Sequence, residues 1–282
     1  MIKKALSLTI VIPVYNEENY IIPCLEAILL QSVVPDEIIV VDNNSTDNSV
    51  QIIQKYPQVT LLSETQRGVQ AARNTGFDAA KSDIIARIDA DTQLPIDWVQ
   101  KIKYDFQSSD VSAVTGPVSY YDMPFPWLNY WLDHITRKML QKLSPSCPFL
   151  FGSNMAIRRS VWLLVKSGLC KNNHIHEDLD LAVHLKQSNY HIIYDKKLHA
   201  GASARRYDDS WLGFLKYGRM FRDSYSSHGI DSIAPRSVTT FYTLGYIFLR
   251  SSRRFYDPKI RKRSLKHALK RKHEPPRKNP MA

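Results

Sequence analysis

Four times in the first part of the chain, a short run of aliphatic residues gives way to a polar turn and then to a helix-periodic stretch. Residues 8–13 predict a buried strand, and residues 14–19 the polar loop behind it. From about Tyr20 to Gln31 the pattern becomes helical, with Ile21, Leu25, Ile28 and Leu29 at i, i+4, i+7 and i+8. Residues 37–42 predict a second strand, and residues 43–47 supply turn and cap residues for a helix to about Lys55. Residues 59–62 predict a short third strand. Gln66-Arg67-Gly68 then leads into a helix carrying Ala71, Ala72, Arg73 and Asn74. Ile84, Ile85, Ala86 and Ile88 form the fourth strand, which runs straight into Asp89-Ala90-Asp91; Pro95 opens the next helix. Regular strand–helix alternation predicts an α/β fold with a mostly parallel sheet flanked by helices.

The polar groups fall where such a sheet binds ligands. Tyr15 and Glu17 follow the first strand, Asp42 ends the second, and Asp89 and Asp91 end the fourth. The carboxyl ends of parallel strands line one edge, and that edge is the usual binding crevice. Carboxylates at i and i+2 on extended chain point to the same side, where they can hold a hard divalent cation and sugar hydroxyls. An isolated Asp-x-Asp can equally be a solvated strand end. The sequence contains no Gly-x-Gly-x-x-Gly and no Gly-x-x-x-x-Gly-Lys-Ser/Thr loop, so phosphate charge has to be met otherwise, and a metal at Asp91 is the natural candidate.

Past residues 113–117 the alternation fades. Trp127, Tyr130 and Trp131 lie in an aromatic-rich helical segment, expected as core or groove wall. Residues 149–157 are apolar, turn-like, then apolar again, and a Gly152-Ser153-Asn154 kink there implies close backbone approach to a ligand or another chain. His174 and His176 read as loop residues rather than a metal pair. Glu177 or Asp178 opens a helix with Leu179, Ala182, Val183 and Leu185, where either acid could be a cap. Arg205 and Arg206 place two guanidiniums near the end of a later strand.

In this order the segments resemble family 2 glycosyltransferases of the GT-A fold, over about residues 7–206. The carriers are residues 11–17, residues 40–47, Arg67-Gly68 with Ala72-Arg73-Asn74, Asp89-Ala90-Asp91, Gly152-Ser153-Asn154-Met155 and Glu177-Asp178. The resemblance implies one GT-A-type domain with a nucleotide-sugar half (1–118), an acceptor half (119–229) and a basic tail (230–282). It implies that Tyr15, Glu17, Asp42 and Arg73 bind the nucleotide, that Asp89 meets ribose or donor sugar, and that Asp91 meets Mn2+ or Mg2+. Arg206 would meet the diphosphate, Gly152, Ser153 and Asn154 the acceptor, and His199 would be a further metal ligand. Glu177-Asp178 is similar to the family's general-base signature, with Asp178 as the base. Processive members carry Gln-x-x-Arg-Trp beside membrane helices. Arg219-Met220-Phe221-Arg222 lacks the Trp, so transfer of a single sugar is implied, with inversion and from a UDP-sugar. A haloacid-dehalogenase-type phosphatase would want Thr at position 93, which is Gln, and a nucleotidyltransferase would want a glycine-rich loop where Tyr15-Asn16-Glu17 stands. The alternative from another class is a non-catalytic nucleotide-binding protein whose tail binds nucleic acid or lipid.

Composition adds a location. The chain has 282 residues, 44% of them hydrophobic, enough for one large or two small domains with a real core. Its three cysteines form no metal or redox spacing, so a reducing compartment is expected. The first seven residues lead directly into a strand without a signal-peptide pattern, which suggests the cytoplasm. Net charge is +11, yet from Arg250 onward lie 13 of the 38 basic and 2 of the 27 acidic residues, leaving 25 of each sign before it. The basic character therefore belongs to the tail. Residues 238–249 are too short and polar to cross a membrane, which takes about 20 apolar residues. Phe241, Tyr242, Tyr246, Ile247 and Phe248, followed by the basic run 253–272, instead predict attachment to an anionic membrane surface. Nucleic acid is the weaker partner, because Phe255 and Tyr256 offer little stacking.

Overall fold

The computed structural model describes residues 5–144, 146–171, 174–257, 260, 262–265 and 269, apart from the side chains of Leu143, Phe241 and Tyr242. Strands β1 (Leu8–Val14), β2 (Glu37–Asp42), β3 (Thr60–Ser63) and β4 (Ile84–Arg87) pair in parallel in the order β3-β2-β1-β4. The connections are the helices α1 (Ile21–Leu29), α2 (Ser49–Ile53) and α3 (Val69–Ala79). α4 (Trp98–Asp105) follows β4 and begins later than Pro95, whose carbonyl instead caps its first turn through the Trp98 N–H. Beyond β4 the sheet continues as β7 (Met155–Arg158), β5 (Val111–Thr115) and β8 (His191–Tyr194).

Strand side chains alternate between faces, which sorts the core into two layers. Leu8, Ile10 and Ile12 of β1 pack on one face with Leu25 of α1 and Trp98 and Ile102 of α4. Val11 packs on the other with Ile39, Ile85 and Phe77, and with Trp162 of α6 (Arg159–Val165) and Leu181 of α7 (Glu177–Gln187). Cover on both faces explains why these strands appear as unbroken apolar runs.

One strand departs from the parallel scheme. β7 runs antiparallel to both neighbours, with Ala156 opposite Ala86 on one side and Val114 on the other. Of the apolar, turn-like, apolar stretch, only the second half becomes strand. The first half becomes the loop that bends over the binding edge. A small parallel pair, β6 (Val118–Tyr120) with β9 (Ala200–Ala202), closes the far side.

Two elements differ in orientation or packing from their sequence expectation. α5 (Pro126–Leu143) turns Asp133, His134, Arg137 and Leu140 inward and most of its apolar residues outward, with Trp127 64% and Trp131 52% exposed. Trp127 and Trp131 are therefore not core; the ion pair between Arg137 and Asp133, and the Val118 N–H bound to Asp133, hold the inward face. The start of the expected tail is α9 (Ile233–Phe255), packed on α8 (Trp211–Ser226). Tyr246, expected at a membrane interface, is buried beside Phe214 and Trp211. Arg253, expected in the basic run, is 1% exposed and paired with Asp122 and Asp208. Ile247 and Phe248 are exposed. Residues 270–282 and, within the basic run 253–272, residues 258, 259, 261 and 266–268 lie outside the described residues.

At the last turn of α4, Asp105 keeps one buried oxygen, Oδ2, without a hydrogen-bond partner. Burial first, and Asp195 second, push its pKa up to about 6; the negative end of the helix opposes its charge as well. A folded pKa above the unfolded value of about 4 means that stability falls as pH rises through that interval, and that the whole cost is present above about 6. Asp105→Asn is predicted to raise the melting temperature at pH 7 and to lose that advantage near pH 4, as measured by thermal denaturation at the two pH values.

Candidate active site

The carboxyl ends of β1 and β4 open onto a cavity of about 330 Å³. Its floor holds Asp89 and Asp91. Its far wall is built from α5, α8 and α9, including Leu140, Phe214, Phe221 and Val238. Val238, Thr239 and Thr243 belong to the segment that the sequence assigns to the tail, so α9 contributes to the cavity wall.

Two arginines, Arg87 buried and Arg205 largely so, organise the acids. Arg205, just past β9, grips Glu17 with both terminal nitrogens at 2.6 Å and places Nε 2.7 Å from Asp91 Oδ2. Its guanidinium also lies 4.5 Å from the ring centre of Tyr20. Burial opposes this charge, but Asp91 and Glu17 more than offset it and keep the pKa raised. Arg87, the last residue of β4, donates from Nη1 to Glu177 Oε1 at 2.7 Å and from Nη2 to Asp89 Oδ1 at 3.0 Å. Gly152 crosses directly over it: a Cβ there would lie 1.7 Å from Arg87 Nη1, which accounts for a glycine at the kink.

The two acids that open α7 are held in opposite ways. Glu177 is buried, but Arg87 and Arg73 overcome the desolvation and keep its carboxyl below the usual range. Asp178 is partly exposed at the cavity wall. Its Oδ2 accepts the Gly152 N–H at 2.8 Å, and its Oδ1 accepts the Leu179 N–H at 2.8 Å. Burial and then the neighbouring Glu177 charge push its pKa up. Two adjacent carboxyls with pKa values driven apart are the usual arrangement of an acid–base site.

Of the residues singled out in the sequence, Tyr15, Glu17, Asp89, Asp91, Gly152, Ser153, Glu177, Asp178 and Arg206 line this cavity. Four others do not. Arg73 is fully buried, donating to Asn74 and to the Glu177 carbonyl, with its guanidinium over the Trp162 ring. Asn154 is fully buried and ties Trp98 to the carbonyls of Pro117 and Leu198. Asp42 turns back onto the Ser45 N–H, and its neighbour Asn43 faces the cavity instead. His199 pairs with Ser119 and packs on Tyr130, away from Asp91. Arg206 stacks on Tyr217 at 4.1 Å and pairs with Asp209. The sequence reading missed Arg87. Its signal was a lone cation in an apolar strand, two positions before Asp89 and so on the same side.

Asp89 and Asp91 bring only hard oxygen donors to the floor, a set suited to Mg2+ or Mn2+. A cation there would share the Asp91 carboxylate with Arg205.

Comparisons with known proteins agree with this layout. The sequence profile described as glycosyl transferase family 2 matches residues 9–163, more than half of the chain. The chain belongs to that family. It is 32% identical over 120 residues to the glycosyltransferase GlyG of Streptococcus pneumoniae, a stretch covering 41% of this chain and 40% of that protein. The match thus spans less than half the length of that relative. Among solved structures, a mannosyltransferase from Pyrobaculum calidifontis, in complex with GDP-Man and Mn2+, superposes with a TM-score of 0.65 at 19% identity. That superposition covers 94% of this chain and 78% of the other. Glucosyl-3-phosphoglycerate synthase from Mycobacterium tuberculosis, in complex with Mn2+, UDP-glucose and phosphoglyceric acid, superposes with a TM-score of 0.55 at 17% identity, over 80% of this chain and 81% of that one. The fold is the GT-A type.

Proposed function

We propose that this chain transfers a single sugar from a nucleoside-diphosphate sugar, UDP-sugar by preference, to an acceptor hydroxyl with inversion. The observation that carries the proposal is the pair of neighbouring acids at the head of α7, one held charged by Arg87 and one with raised proton affinity facing the cavity. Residues 1–118 then form the donor side and residues 119–229 the acceptor side, with 230–282 adding a wall and a basic tail. Structures of the same fold are described as complexes with GDP-Man and Mn2+ and with UDP-glucose and Mn2+, which supports a donor of this class and a divalent cation. Mn2+ or Mg2+ held by Asp91 and Asp89 would neutralise charge on the leaving diphosphate.

The chain's own residues supply the rest. Tyr15, Glu17 and Asn43 border the nucleotide end, with Asp42 fixing the turn beneath. Arg205 and Arg206 bring positive charge to the diphosphate end. Asp178 takes the proton of the acceptor hydroxyl as it attacks the face opposite the leaving group. Its carboxylate is oriented for this by the Gly152 and Leu179 N–H groups. Glu177 and Arg73 position it without touching substrate. Asp178→Asn is predicted to cut transfer by roughly 10²–10⁴-fold while nucleotide binding stays nearly intact. Wild-type transfer should fall with decreasing pH through a pKa above that of an ordinary aspartate. Steady-state kinetics beside nucleotide titration checks both; transfer at the wild-type rate in Asp178→Asn would place the base elsewhere.

The exposed apolar face of α5 supports work at the cytoplasmic face of a membrane. Trp127, Leu128, Trp131, Leu132, Ile135 and Met139 form one outward stripe, with Lys138 and Lys142 beside it. A large apolar patch rimmed by cations suits an anionic lipid surface. Among the described residues no helix is long and apolar enough to cross a membrane. In vesicle flotation, the wild type should float with anionic vesicles and less with neutral ones. Trp127→Ser/Trp131→Ser should weaken flotation, and equal flotation of both proteins would defeat this part of the proposal.

A further inference from the structure

On the side of α7 away from the cavity, four metal-ligating groups from three segments converge. Cys170 comes from the loop after α6, Asp180 and His184 from α7 at i and i+4, and His228 from just past α8. One ligand atom from each lies within 4.8 Å of all the others. Cys170 Sγ is 3.9 Å from both His184 Nε2 and His228 Nε2. Asp180 Oδ1 is 2.9 Å from His228 Nε2 and 3.5 Å from His184 Nε2. We propose that Cys170, Asp180, His184 and His228 form a structural zinc site.

The chemistry of the set is that of zinc: one thiolate, one carboxylate and two imidazoles, all from protein, leave no open position. With zinc–sulfur at about 2.3 Å and zinc–nitrogen or –oxygen at about 2.0–2.1 Å, tetrahedral edges run about 3.3–3.6 Å. Four of the six separations, 2.9–3.9 Å, straddle those edges and the others lie within 4.8 Å, so the ligands complete the tetrahedron by drawing together around the ion. Charge also balances, because thiolate and carboxylate together cancel the dication. That matters where Asp180 is fully buried. A second shell is present too. The outer Asp180 oxygen, Oδ2, accepts the Cys170 N–H at 3.1 Å, and the Cys170 carbonyl accepts from Gln70 of α3 at 2.6 Å. Such contacts fix ligand orientation. Burial, followed by Asp180, raises the Cys170 thiol to about 11, and a coordinated metal removes that proton outright.

The site also has a structural purpose that follows from its place. Asp178 and Asp180, two residues apart on one helix, point about 200° apart. A zinc on the back of α7 would therefore pin the helix to α8 and to the loop after α6 without entering the cavity. Sequence spacing hides the set, since His228 lies far along the chain from the other three.

The test uses the untagged full chain loaded with Zn2+ and then desalted through a weak chelator. Elemental analysis should find one zinc per chain, and a strong chelator should lower the melting temperature. Co2+ in its place should give the visible bands of a tetrahedral site together with a thiolate-to-cobalt charge-transfer band. Cys170→Ser should abolish that band. His184→Gln should lower zinc affinity by more than the roughly 10–100-fold typical of an outer-shell change. Asp91→Asn should leave zinc content and the cobalt spectrum unchanged, which separates this site from the cavity floor. The wild-type cobalt spectrum is decisive even if a variant fails to fold. Three results would each overturn the proposal: no retained zinc, cobalt bound without a thiolate band, or zinc retention unaffected by both ligand variants. The four residues would then be only a hydrogen-bonded cluster around Asp180.

Discussion

The ion pair between Arg87 and Glu177 is the contact on which the site depends. It joins the last residue of β4 to the first residue of α7, two elements 90 positions apart in the chain. Both side chains are buried, so each charge leans on the other, with Asp89 and Arg73 as the remaining counter-charges. Breaking such a pair by removing one partner typically costs about 3–5 kcal/mol. Further contacts follow from it. Arg87 reaches on to Asp89, Arg73 steadies the Glu177 backbone, and Gly152 must lack a side chain to pass over the guanidinium. The same Gly152 N–H then orients Asp178. A single buried charge pair thus sets the floor acid, the helix that carries Asp178, and the loop facing both.

A second constraint shapes the far wall of the cavity. α5 packs its charged face inward over the cavity and leaves tryptophan and aliphatic side chains outside. In water this is the reverse of what burial favours. It becomes reasonable if the outer face meets lipid while Arg137 and Asp133 on the inner face line the cavity. α9 adds Ile247 and Phe248 to the exposed apolar surface, yet buries Tyr246 and Arg253 in the body. The proposed membrane contact would then be made by folded helices, α5 and α9.

Much of the N-terminal half is readable from sequence, because local pattern and fold agree there. Continuous aliphatic runs become strands covered on both faces, and acids at their ends meet at one edge. What was hidden depended on distant partners. Arg73 and Asn154 stand in suggestive motifs, but tertiary contacts draw both into the interior. Arg205 and Arg206 are neighbours of identical type. Only the fold decides that Arg205 clamps Glu17 and Asp91 while Arg206 stacks on Tyr217. The apolar face of α5, expected as core or groove wall, turns outward instead, since helical periodicity marks a stripe but not the medium it faces. The reversed direction of β7 had no local signal either.

The central claim is that burial, and after it the charge that Glu177 keeps beside Arg87, raises the proton affinity of Asp178, the proposed base. The pH–rate profile of donor turnover in Glu177→Gln tests it most directly, with circular dichroism confirming that the variant is folded. Loss of the neighbouring negative charge, with Arg87 left facing Asp178, should move the acid limb to lower pH than in the wild type. An acid limb that stays in place, or moves upward, in the folded variant would contradict the account.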